Sequence, residues 1–246
     1  LRNQLVAGYD FVNDDADASD DNGHGTQMAG IVAAEAFNGI GVSGIAPRCK
    51  LMPIKVLDGS ATGVYSAIAN GITYAADHGA RVINLSLTGS QASPMLESAV
   101  NYAAARGAVV IAAAGNDATG DPAYPAAYTN AVGVSATDQH DKVAGFSNYG
   151  SWVALAAPGV GILTTNLIRS GDSTAYGSTE FSRSTAKSAV SVCPRRDAPL
   201  QLAKSGTNAS RRIGAVAAQC RFFGRSTVVS PSARFSVPSS AASDSH

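Results

Sequence analysis

Between residues 51 and 114 the chain alternates between two hydrophobic periods, and that alternation limits the folds open to it. Leu51 to Leu57 is a short apolar run, and Val64 to Asp77 carries apolar residues at helical spacing. Arg81 to Leu87 reads as a strand, Pro94 to Ala105 as a helix, and Gly107 to Ala114 as a continuous apolar strand. Glycine follows both helical stretches, in His78-Gly79 and Arg106-Gly107, where a left-handed cap would end them. Strands apolar along their whole length need cover on both faces. The expected class is therefore α/β: a three-layer, mostly parallel sheet with helices on both faces. Such sheets bind ligands beyond the carboxyl ends of their strands.

Two strand ends and one loop therefore hold the candidate chemistry. Ser86-Leu87-Thr88-Gly89 closes one strand, and Ala112-Ala113-Ala114-Gly115-Asn116 closes another with small residues before an amide side chain. Small residues leave room for a ligand, and an amide N–H aimed into that room stabilises a developing oxyanion. Upstream, Asn22-Gly23-His24-Gly25-Thr26 sets one histidine between two glycines at the start of an apolar helix expected over Thr26 to Ala36. An imidazole, with its ordinary pKa near ~6.5, exchanges protons at neutral pH.

The loop before that histidine holds five aspartates in eight positions, Asp14 to Asp21. Carboxylates so crowded repel one another unless a cation lies among them, and calcium takes such oxygens from flexible loops. A solvated loop is the competing reading. Acidic and basic residues balance at 18 each, which gives no support for a nucleic-acid partner. No apolar run approaches the roughly 18 residues of a membrane span. Cys49, Cys193 and Cys220 show neither disulfide nor zinc spacing.

The pattern weakens after Thr164. Residues 190–246 carry eight Arg or Lys against two Asp, with no sustained period, so the expected organisation is a partial domain over 1–189 and an atypical basic, Ser/Ala/Arg-rich, disordered tail over 190–246.

Six segments, taken together and in order, resemble the subtilisin-like serine proteases, most closely the thermitase-like branch. They are Tyr9-Asp10-Phe11-Val12, Asn22 to Thr26, Asn70 to Asp77, Leu85-Ser86-Leu87, Ala112 to Asn116, and Tyr149 to Val153 with Ala156 to Gly159. The resemblance implies a secreted, monomeric serine endopeptidase that acts on polypeptide and is accompanied by a propeptide or inhibitor. A serine hydroxyl would attack the peptide carbonyl, His24 would take its proton, and Asn116 would help hold the oxyanion. Ser86, Leu87, Thr88 and Gly89 would pair with substrate backbone, and Ala113 and Gly115 would wall the specificity pocket. The resemblance also implies structural calcium, held by Asp10, Asp15, Asp17, Asp20 and Asn38.

The chain departs from the family in places. The family's aspartate motif, Val-x-Asp-Thr-Gly, is absent, and the expected fold is accordingly truncated at its N-terminus. The nucleophile motif Gly-Thr-Ser is absent too. Thr179-Glu180-Phe181-Ser182-Arg183-Ser184-Thr185-Ala186-Lys187 is the nearest stretch. One alignment sets Ser182 on the nucleophile, and another leaves Glu180 where the serine should be. Gln27-Met28 replaces a common His-Cys, and Thr88 replaces a glycine. These losses keep a second reading open: an inactive domain that binds peptide or calcium without cleavage.

Overall fold

Seven strands form the main sheet, in the order β1-β2-β9-β3-β4-β5-β6. They are β1 (Tyr9–Asp10), β2 (Ile54–Lys55), β3 (Ala80–Leu85), β4 (Val109–Ala113), β5 (Ala131–Thr137), β6 (Val153–Pro158) and β9 (Val190–Pro194). A separate antiparallel pair joins β7 (Ile162–Thr165) to β8 (Tyr176–Thr179). The computed structural model describes residues 1–167 and the backbone of β8 and β9. Ser182, Glu180 and the tail beyond Pro194 lie outside the described residues.

Four of the sheet's pairings, β1 with β2, β3 with β4, β4 with β5 and β5 with β6, are parallel, as the alternating periods require. Only β9 runs antiparallel, pairing one residue with β2 and four with β3 across a register shift between Ala80 and Ile83. The compact unit runs from Leu1 to Leu202. With β1 to β6 parallel and helices flanking the sheet, the architecture is the three-layer α/β class read from the sequence.

Helix α2 (Tyr65–Asp77) and helix α3 (Pro94–Ala105) pack side by side on the sheet. In α3, Ser93 caps the start, its hydroxyl accepting from Leu96 N at 3.4 Å. Pro94 fills the first turn, where its missing N–H costs nothing. Leu96, Ala99, Val100 and Ala103 recur at three- and four-residue steps and are the face it buries. Gly79 and Gly107 end the two helices at φ 81° and 82°. The core between these helices and the sheet includes Ile68, Ile72, Ile83, Leu85, Leu96, Val100 and Val110. Each such side chain contributes about 1.5–3 kcal/mol by leaving water.

Helix α1 (His24–Ala33) packs instead against β7 and β9. It starts two residues earlier than Thr26 and ends before Ala36, because Ala34 is extended (ψ 137°) and Phe37 stands fully exposed at positive φ. Thr164 and Thr165 of β7 donate hydroxyl hydrogen bonds to the α1 carbonyls of Gln27 (2.6 Å) and Thr26 (2.7 Å). The approach is so close that a Cβ on Gly30 would collide with both hydroxyls. Gly30→Ala is expected to destabilise the protein by about 1–3 kcal/mol, the range for overpacking. Gly145→Ala, where a Cβ meets nothing within 4 Å, is expected to stay within about 0.5 kcal/mol of the parent. Chemical denaturation of both variants checks the pair.

Candidate active site

Parallel register decides what meets at the carboxyl end of the sheet. Leu85 pairs with Ala112 in the last step of the β3–β4 ladder, so the next residues, Ser86 and Ala113, lie side by side where β3 ends, Ala113 still paired with Val134 of β5. The Ser86–Gly89 segment and the Ala113–Asn116 segment therefore share one rim, as the sequence implied. Leu87 is buried, while Thr88, Gly89 and Asn116 are half-buried. Gly89 and Tyr124 exchange two backbone hydrogen bonds, N–H to O at 2.8 and 2.9 Å. That bridge fixes the outer end of the segment.

His24 reaches the same rim from α1, of which it is the first residue. Its Nε2 lies 3.2 Å from Ser86 O. A carbonyl only accepts, so Nε2 carries the proton in this contact. The structure thus brings together His24 and Ser86, which lie 62 positions apart.

The loop that presents His24 is held by Asp20. One carboxylate oxygen accepts from the backbone N–H groups of Asn22 (3.0 Å) and Gly23 (2.8 Å). The other accepts from Thr26 N and Thr26 Oγ1, both at 2.7 Å. Burial pushes this carboxyl up, but the hydrogen bonds from Gly23, Thr26 and Asn22 outweigh it and hold it below the ordinary carboxylate value. The carboxylate also lies at the N-terminal end of α1, where negative charge is favoured. Asp20 is therefore engaged as a helix cap.

The other residues expected to hold metal are likewise engaged locally. Asp10 is fully buried and accepts from Val12 N (2.6 Å), Asn13 N (3.0 Å) and Asn13 Nδ2 (2.9 Å). Lys55 Nζ stands 3.2 Å from Asp10 and 2.8 Å from Asp21, joining the two loops with a cation the protein supplies. Burial raises the Asp10 carboxyl, but its donors Asn13, Val12 and Lys55 prevail and lower it overall. Asp15 and Asp17 are exposed and close short turns on Asp17 N and Ser19 N. Asn38 does the same on Ile40 N, in a loop beyond α1. Among the described residues no three His, Cys, Asp or Glu side chains are grouped to hold a metal ion. Asp15 and Asp17 are exposed carboxylates, and their oxygens are of the kind calcium takes.

One residue at the rim went unnoticed in the sequence. Asn148 is 1% exposed, and its Oδ1 accepts from Asp117 N at 2.7 Å, directly after Asn116. Phe146-Ser147-Asn148-Tyr149-Gly150 reads as turn punctuation, and nothing in its composition names the loop it supports. The buried asparagine in that turn was the available signal, since a buried amide needs partners.

Comparison with known proteins gives consistent results. Residues 2–191 match the model of the subtilase family. The chain is 50% identical over 165 residues to thermitase of Thermoactinomyces vulgaris, covering 67% of this chain and 59% of thermitase. It is 49% identical over 165 residues to a thermophilic serine proteinase of Bacillus sp. (strain AK1), covering 67% of this chain and 41% of that one. The chain thus spans about half the length of these curated relatives. Among solved structures it is similar to a cold-adapted subtilisin-like serine proteinase, with TM-score 0.64 and 35% identity over 72% of this chain and 62% of that one. A protease from Pseudoalteromonas arctica aligns with TM-score 0.67 and 32% identity, covering 76% of this chain and 69% of that one.

The Asp20 clamp has a measurable pH signature. A lowered carboxyl contributes stability that is complete above its ordinary value, 3.8, and is lost as the pH falls through the folded-state value. Asp20→Ala is expected to cost about 1–2 kcal/mol near neutral pH, as for a lost helix cap. The gap to the parent should close on acidification below the ordinary carboxylate range. Urea denaturation of both proteins across that range checks it, and a gap independent of pH would contradict it.

Proposed function

The chain belongs to the subtilase family, and from that premise we propose that it hydrolyses peptide bonds by acyl transfer through a serine. In this reading His24 is the general base and Asn116 an oxyanion donor. Ser86 to Gly89 line the substrate backbone, and Ala113 and Gly115 wall the pocket for its side chain. The observation that carries the reading is the shared rim: His24 Nε2 lies within 3.2 Å of Ser86 O, and the β3–β4 register sets Ser86 beside Ala113. To take the serine proton, Nε2 must leave this contact and present its lone pair, the neutral ring then carrying its proton on Nδ1.

Each residue has a separate part in the step. As the serine oxygen bonds to the peptide carbon, its proton passes to imidazole and negative charge collects on the former carbonyl oxygen. A side-chain amide already oriented toward that oxygen stabilises the charge without reorganising. Ser182 remains the proposed nucleophile, outside the described residues. An inactive domain that binds peptide without cleaving it is the competing reading, and the labelling experiment below separates the two.

A fluorophosphonate bonds covalently to a serine that a base has activated. Labelling of the full-length chain, located by peptide mass spectrometry, is expected at Ser182 and is expected to be lost in His24→Ala. Asn116→Ala should lower turnover of an unfolded polypeptide by about 10²–10³, the scale of one lost oxyanion donor in subtilisin. Folded protein that takes no label and cleaves nothing would establish the inactive reading.

Calcium is a narrower proposal. Asp10, Asp15, Asp17, Asp20 and Asn38 are the proposed ligands; Asp15 and Asp17 are the exposed carboxylates among them, while Asp10 also meets Lys55 and Asp20 four donors. A ligand that binds only the folded state at about 100 times its Kd adds roughly 2.7 kcal/mol. Chelation is therefore expected to lower Tm, and Asp15→Asn with Asp17→Asn should abolish that shift. Melting indifferent to chelator would remove calcium from the account.

A further inference from the structure

We infer that Asn148 is the positioning residue for Asn116, fixing the backbone from which the oxyanion donor projects. The inference rests on the acyl-transfer reading for its catalytic meaning. Its geometry stands apart from that reading.

Two peptide planes meet at the Asn116 Cα, and Asn148 holds both. The plane before Asn116 contains Gly115 O, which accepts from Asn148 N at 3.0 Å. The plane after it contains Asp117 N, which donates to Asn148 Oδ1 at 2.7 Å. Fixing both planes fixes the two soft backbone angles of Asn116. A weaker third contact, Thr119 N to the same Oδ1 at 3.4 Å, extends the hold along the loop.

The loop would not keep this path unaided. Gly115 has φ +110° and Ala118 has φ +54°, both in the left-handed region, which is unfavourable for the alanine. A Cβ on Gly115 would collide with Asn148 Nδ2, so the glycine also makes room for the clamp. Neighbouring bonds keep Asn148 itself in place. Ser147 Oγ donates to Asn148 O at 3.1 Å and accepts from Ala136 N of β5 at 2.9 Å. Ala118 N donates to Phe146 O at 2.9 Å, and Tyr149 N to Thr119 O at 3.1 Å. The segment 146–149 thereby ties the loop after β4 to β5, a rigid element of the sheet.

Asn148 is 1% exposed, so it acts through Asn116 and meets no substrate. Asn148→Leu keeps the shape and removes the acceptor. Asn148→Asp keeps an acceptor oxygen in the same place. Two readouts on the full-length chain test the inference.

The first readout is hydrogen exchange. In Asn148→Leu, the Asp117 and Thr119 amides are expected to exchange at least about ten-fold faster, the scale of one lost hydrogen bond. The β4 and β5 amides should stay protected, and Asn148→Asp should restore the two loop amides. Unchanged exchange at Asp117 in Asn148→Leu would overturn the clamp. If the leucine variant fails to fold, failure of Asn148→Asp to preserve parental protection would overturn it equally.

The second readout is turnover of an unfolded polypeptide. Asn148→Leu should lower kcat by about ten-fold or more, with KM within about two-fold, and Asn148→Asp should recover most of the loss. Placed on Asn116→Ala, Asn148→Leu should cost nothing further, because the group it positions has gone. A full additional loss there would overturn the positioning role. A parent chain without turnover would instead defeat the acyl-transfer reading, while the exchange result would still decide the clamp.

Discussion

The four parallel pairings from Val82–Val109 to Leu85–Ala112 bring β3 and β4 to their carboxyl ends together, and the candidate site depends on that agreement. A slip of one residue would turn every side chain of a strand to the opposite face. Buried Ile83 and Leu85 on β3, with Val110 and Ala112 on β4, make such a slip costly. Burial beneath α2 and α3 therefore sets, at a distance, where Ser86 and Asn116 emerge. Hydrophobic packing supplies the alignment, and polar groups then refine it within a few ångströms.

That refinement uses the same device twice. Asp20 gathers four donors around the start of α1 and presents His24. Asn148 gathers the backbone on both sides of Asn116. Each is a partly or fully buried oxygen acceptor that converts a loop into a fixed support, as precise chemistry on a loop requires. Lys55 adds a third link by joining Asp10 of β1 to Asp21, beside the His24 loop. A protein-supplied cation thus offsets part of the charge of an acidic loop that otherwise reads as a metal site.

The legible parts of the sequence were those where one physical signal dominated. Helix α3 appeared at its observed bounds because Ser93, Pro94, the Leu96–Val100–Ala103 stripe and Gly107 all agree. The apolar run Leu51 to Leu57 is longer than β2, since only Ile54–Lys55 form a ladder with Tyr9–Asp10 and Leu51 makes an isolated bridge to Leu5. Val190-Ser191-Val192 alternates, yet over too few residues to stand out from the basic stretch that follows. The residues near His24 were harder to assign for a chemical reason. A carboxylate that holds a helix start and one that binds calcium look alike in sequence, and only the structure reveals that Asp20 accepts from Thr26 N and Gly23 N. Asn148 escaped because its partners lie about thirty positions away.

The central claim is that the rim formed by His24, Ser86–Gly89 and Asn116 receives a polypeptide with its scissile carbonyl at the imidazole. A peptide chloromethyl ketone tests this directly, since it occupies the substrate path and alkylates a histidine that lies against it. The account predicts modification of His24, located by peptide mass spectrometry, slowed by excess unfolded polypeptide and by loss of the Asn116 amide. Folded protein whose His24 stays unmodified, or is modified at a rate indifferent to competing polypeptide, would contradict it.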